Sequence, residues 1–156
     1  MKWPSLFGRK SSDASTNASI VRDLRKSHGE IRREGVKVQC REIWLPFRPI
    51  SKARPRFSGH AYTDKVYAQW KGDVHAFLAE WWTEAPLDRL NVLVAHFYGP
   101  ARGDLDNRVG SVLDAAKGVL FTDDAVTVIP AMVLKHHKTS AKEARIYLML
   151  VWEEEQ

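Results

Sequence analysis

The sequence predicts an α+β domain, a single mixed sheet of about four strands with two main helices, and three observations predict it. Residues 36–47, 90–98, 125–134 and 144–152 have the β-branched and aromatic make-up of strands. Residues 64–82 and 106–117 instead repeat apolar side chains at helical spacing. The chain has 156 residues, 44% of them hydrophobic, which suffices for one core of ordinary size but not for two.

Residues 1–35 are polar, and the run from Ser11 to Ser19 offers little apolar surface to offset the entropy of ordering. A mobile basic extension is expected there, followed by one domain over 36–156. The first strand runs from Val36 until Pro46 and Pro49 place its end near a sheet edge. Cys40, the only cysteine, reads as a half-buried strand residue without a disulfide partner in the chain. Next comes Arg48 to Phe57, where four cations alternate with prolines. The prolines stiffen an extended segment, so Lys52, Arg54 and Arg56 are presented outward at small entropic cost, as tracking a phosphate backbone requires.

Thr63 is placed to cap the first helix, whose stripe of Val66, Trp70, Val74, Phe77, Leu78 and Trp81 is core. Glu84-Ala85-Pro86 ends it. Leu90 to Tyr98 is a strand, with His96 as a satisfied strand histidine. The second helix starts near Asp106 and stops at Lys117-Gly118, a C-terminal combination. At about 100° per residue its apolar arc holds Val109, Val112, Leu113, Ala116 and Leu120, and the adjacent arc holds Asp106, Gly110, Asp114 and Lys117. The last two strands are expected to form a hairpin across the polar loop 135–143. In that loop His136 and His137 point in different directions, and a basic tip near phosphate suits them better than a metal site.

Charge is unevenly placed. The formal net charge is +5, but residues 1–60 hold 14 Lys/Arg against 5 Asp/Glu and residues 61–156 hold 10 against 14. A basic front and an acid-rich back suit a protein that grips a polyanion and does metal chemistry on it. Asp104-Leu105-Asp106-Asn107 then carries more carboxylate than one helix cap needs. If Gly118 reverses the chain, extended residues from Val119 bring Asp123 and Asp124 back beside Asp104 and Asp106. Such a cluster calls for a hard divalent cation, Mg²⁺ or Mn²⁺. No apolar run is long enough to span a bilayer, and the first residues do not lead into a signal peptide, so a soluble cytoplasmic protein is expected.

Four stretches in order make the chain resemble the RusA family of Holliday-junction endodeoxyribonucleases over about residues 37–152. They are Lys52 to Phe57, Ala61-Tyr62-Thr63, Asp104 to Asn107 with Leu113-Asp114-Ala115, and Leu120 to Asp124. The resemblance implies a small α+β homodimer that resolves four-way DNA junctions by paired Mg²⁺-dependent nicks. It implies metal binding by Asp104, Asp106 and Asp124; from the residues themselves, Asn107 and Asp123 are expected to support these from behind and Lys52, Arg54, Arg56 and Arg102 to contact DNA. One position departs: the family has a Lys four residues after the second Asp, and here that residue is Gly110. Lys117, on the same helix face about 10.5 Å further along, takes the catalytic cation's role, with Lys52 and Arg102 as rivals. Arg108 lies on the far side. Two alternatives compete: a junction-binding protein with weakened catalysis, and an Asp-x-Asp Mg²⁺ enzyme acting on nucleotide-sugars or phosphate monoesters. The second lacks a Gly-rich phosphate loop in this sequence.

Overall fold

The computed structural model describes residues 36–52, 56–57, 61–62 and 64–155. The expected N-terminal extension, Arg54 and Thr63 lie outside these residues. For Arg56 only the backbone is described.

Six strands and two α-helices follow in the order β1 (Val36–Leu45), β2 (Arg56–Phe57), β3 (Ala61–Tyr62), α1 (Lys65–Trp81), β4 (Val92–Gly99), α2 (Leu105–Ala116), β5 (Met132–Lys138) and β6 (Arg145–Glu155). Four strands form a mixed sheet of order β1-β6-β4-β5, and β2 pairs with β3 in a separate small ribbon. This is the α+β architecture expected from the sequence. No described helix is long and apolar enough to cross a membrane.

Strand β4 is buried at all eight positions because it has partners on both edges and side chains packed on both faces. On one face Leu93, Ala95 and Phe97 stand opposite Leu150, Leu148 and Ile146 of β6. These residues join Val74 and Leu78 of α1 and Val109, Val112 and Ala116 of α2 in one apolar core. The other face is aromatic and polar. There Trp44 packs on Tyr98 and Tyr147, and the Tyr147 hydroxyl donates to Glu42 at 2.6 Å. His96 is buried on this face with a ring nitrogen 3.3 Å from one of His137.

Several expectations need correction. The two C-terminal strands are not a hairpin, since β5 runs parallel to β4 on one side while β6 runs antiparallel to it on the other. Alternation marks a strand but does not choose its neighbour, and β4 outcompetes the short-loop pairing. The third long strand begins at Met132, because residues 125–129 form a turn in which the amides of Val128 and Ile129 donate to the Ala125 carbonyl. His136, His137 and Lys138 belong to that strand and not to a loop tip. In α1 the cap is Asp64, whose carboxylate accepts from the Val66 amide at 2.8 Å. Val66 is 75% exposed, and Tyr67 takes the inward position instead. Cys40 is exposed.

The segment after α2 does reverse at Gly118, but not through an extended run. Gly118 has φ +79°, its amide donates to the Phe121 carbonyl, and the amides of Val119 and Leu120 donate to Ala116. The buried Leu120 and Phe121 then lie against Leu87, which exchanges backbone bonds with Leu120 and Thr122.

Two glycines should respond oppositely to alanine. Gly118→Ala meets no atom within 4 Å but forces a left-handed backbone, so urea unfolding should show a loss of about 1 kcal/mol. Gly72, exposed within α1, also has open space around it, and Gly72→Ala should gain about 0.5–1 kcal/mol.

Candidate active site

The end of β4 places the acidic pair. Beyond Gly99 the chain turns through Pro100 to Gly103, which has φ +71° and comes so close to Ser51 that a Cβ there would stand 2.7 Å from its Oγ. Asp104 follows as the N-cap of α2 and Asp106 lies in its first turn. An N-cap aspartate ordinarily uses its carboxylate to accept from a first-turn amide. Here the Asp104 side chain makes no such bond. Both carboxylates are exposed, and among the described residues neither has an ion pair or side-chain hydrogen bond. They stand at the positive end of the helix dipole, the one place on α2 that favours negative charge without a counter-ion.

The loop leading to them is tied from below by Arg108. Its buried guanidinium donates to the carbonyls of Pro100 and Arg102 and, at 3.1 Å, to Nδ1 of His136. Burial, then the nearby Arg48 charge, lowers the Arg108 pKa, and burial followed by Arg108 lowers that of His136, favouring a neutral imidazole. Arg108 therefore acts as a strut on the far side of the helix from Asp106. Beside it a cleft of about 250 Å³ is lined by Ala101, Arg102, Gly103, Leu105, Arg108 and His136. Arg102 contributes its carbonyl to the strut and leaves its side chain exposed.

A second tie joins the Ile50–Lys52 segment to α2. Ser111 Oγ donates to the Ile50 carbonyl at 2.8 Å, and the Lys52 amide donates to the Asn107 carbonyl at 2.8 Å. Asn107 thus supports the site through its backbone. The Lys52 ammonium reaches Asp114 at 3.0 Å, and the Tyr67 hydroxyl donates to the other Asp114 oxygen at 2.6 Å. Burial pushes the Asp114 carboxyl up, but the bonds from Tyr67 and Lys52, with the charges of Lys52 and Lys71, outweigh it and leave the pKa lowered. Burial, then the Asp114 bond, raises the Tyr67 phenol. Sequence reasoning missed Tyr67 and Ser111 as parts of the site, placed Asp114 on the Asp106 arc without a role, and set His136 near phosphate but in a loop. The available signal was Asp114 itself, a charged residue on the same helix arc as Asp106.

At the other end of α2, Lys117 forms ion pairs with Asp123 and, at 3.3 Å, with Asp124. The Asp124 amide also donates to Asp123 Oδ1 at 2.9 Å. These bonds, Lys117 foremost, depress the Asp123 carboxyl, and the two aspartates raise the Lys117 ammonium. Asp104 and Lys117 bracket the 12 residues of α2, a span of about 18 Å. Among the described residues no three His, Cys, Asp or Glu side chains converge in a way that could hold a metal ion. The structure thus groups Asp104 with Asp106, and Lys117 with Asp123 and Asp124.

The Asp114 clamp carries a pH signature. Its pKa in the fold lies below the ordinary aspartate value, so its stabilisation is complete above that ordinary value and lost as pH falls through the folded pKa. Tyr67→Phe should lower stability at pH 7 by about 1.5 kcal/mol. It should also shrink the acid-dependent loss and complete it at higher pH, because the folded Asp114 pKa moves up toward the unfolded value, as followed by denaturant melts between pH 2 and 6. Asp114→Asn should remove that contribution.

No curated protein matches the chain. The family described as Endodeoxyribonuclease RusA matches residues 46–151, which takes in the Ile50–Lys52 tie, both helices and all three acidic groups. The chain therefore belongs to the RusA family of endodeoxyribonucleases.

Proposed function

We propose that the protein is a structure-selective endodeoxyribonuclease that resolves four-way DNA junctions by hydrolysing paired phosphodiesters. The observation carrying this reading is the exposed Asp104/Asp106 pair at the head of α2, which has no counter-ion among the described residues. Its chemistry suits Mg²⁺ or Mn²⁺, since Mg²⁺ is commonly held by one or two carboxylates together with waters and substrate phosphates. When bound, such an ion would lower the pKa of a water and stabilise charge on the phosphoryl oxygens.

The protein's own residues prepare that chemistry. Arg108 fixes the loop before Asp104, so the carboxylate pair keeps its place when a phosphate approaches. Arg102 presents a cation beside the pair, and the basic segment containing Lys52, Arg54 and Arg56 supplies phosphate contacts along the DNA arms. Asp124, paired with Lys117 beyond the far end of α2, would serve as a third ligand only after leaving that ion pair and moving toward the head of the helix, with Asp123 supporting it. A homodimer fits the two-fold pseudo-symmetry of a junction, one subunit per cleaved strand.

A second reading is favoured by a specific observation. Asp124 is engaged by Lys117, and no three-carboxylate cluster is formed among the described residues. This suits a junction-binding protein with weakened cleavage.

Nicking of a labelled junction and binding in EDTA separate the two. Asp104→Asn, Asp106→Asn and Asp124→Asn should each slow nicking by more than about 10²-fold, since even groups behind a metal ligand cost 10–100-fold. Binding in EDTA should survive. Near wild-type cleavage by any two of the three would remove the assignment, and a wild type that binds junctions but never nicks them would establish the binding reading.

A further inference from the structure

We infer that Lys52 is the phosphate-directed cation of the acidic face of α2, and that Gly110 exists to let its stem cross the helix. This rests on the endonuclease reading and moves the Lys52 contact from the DNA arms to the phosphodiester that approaches Asp104 and Asp106.

Glycine weakens a helix interior, so Gly110 needs a reason in packing. A Cβ at Gly110 would lie 3.3 Å from Lys52 Cδ and 3.7 Å from its Cβ, whereas a Cβ at Gly72 of α1 would meet nothing within 4 Å. The lysine stem therefore lies flat against α2 at the turn after Asp106. Its backbone is fixed there by the Asn107 carbonyl, and Ser51 just before it is pressed against Gly103. The segment is wedged between two glycines of the acidic loop and helix.

The ammonium is anchored but not hidden. Its partner Asp114 is the more buried of the two, with side-chain exposures of 22% for Asp114 and 48% for Lys52. Because the Lys52 amide sits on Asn107, one residue past Asp106, an ammonium released from Asp114 has the head of the helix within its reach. Two of the competing cations are committed elsewhere, which leaves Arg102, exposed in the loop before Asp104, as the rival. Lys117 holds two aspartates, and Arg108 is buried on loop carbonyls. A phosphate arriving at Asp104 and Asp106 meets like charge, and Lys52 is the cation whose backbone is bonded to that turn. Asp114 and Tyr67 position it.

The test uses the full chain and a labelled four-way junction. Acetylation of Lys52 by an amine-reactive reagent, read by mass spectrometry in EDTA with and without DNA, reports whether DNA covers the ammonium. Single-turnover cleavage with Mg²⁺ reports its use in the reaction. Bound junction should protect Lys52, and Lys52→Ala should slow cleavage by about 10²-fold, the scale of losing one positioned charge-stabilising group. Combining Lys52→Ala with Gly110→Lys should recover most of that loss by restoring an ammonium to the same face. Gly110→Ala alone displaces the stem and should produce a smaller loss. Protection of Lys52 in a wild type that never cleaves would refute the nuclease reading while upholding the phosphate contact. Equal acetylation with and without bound DNA, or cleavage unchanged in Lys52→Ala, would overturn the inference.

Discussion

A strand paired on both edges and packed on both faces has almost no freedom in where its last residue points, and β4 is that strand. Its end therefore aims the short Gly99–Gly103 connection, and Arg108 reaches back from α2 to grip two carbonyls of the connection. A helix side chain that holds the loop entering its own helix makes the two move together. The first turn of α2, with its two carboxylates, inherits the rigidity of the core.

Charge on α2 follows a simple rule with one exception. Asp114 has Lys52, and Asp123 with Asp124 has Lys117. Each of these is an internal pair in which the protein supplies both signs. Asp104 and Asp106 have no partner among the described residues, and the helix dipole only partly offsets them. At the other two groups the negative charge is neutralised internally.

Elements were legible in the sequence where local pattern determines them. The expected α2 start near Asp106 and stop at Lys117-Gly118 agree closely with the observed Leu105–Ala116, and β4 follows from an apolar run that only a central strand can bury. Pairing was less legible, because β5 and β6 both carry strand signals while their common neighbour lies more than thirty residues back in sequence for each. The site divided in the same way. Asp104 and Asp106 announce themselves by spacing, but the Lys52–Asp114 pair joins residues 62 apart in the chain, and the Tyr67–Asp114 bond joins residues 47 apart. A glycine reads as a helix weakness until the side chain crossing it is seen.

The outermost position of β5 also bears on whether the sheet can be extended through that edge. A strand with a neighbour on one side only can recruit another strand, and proteins resist this with charge along the edge. Lys135 and Lys138 are exposed on β5. Joining two sheets edge to edge through this strand in a symmetric pair would bring a lysine-bearing strand against its own copy, so the edge discourages a continuous intermolecular sheet. Growth of the sheet through the β5 edge is thereby disfavoured.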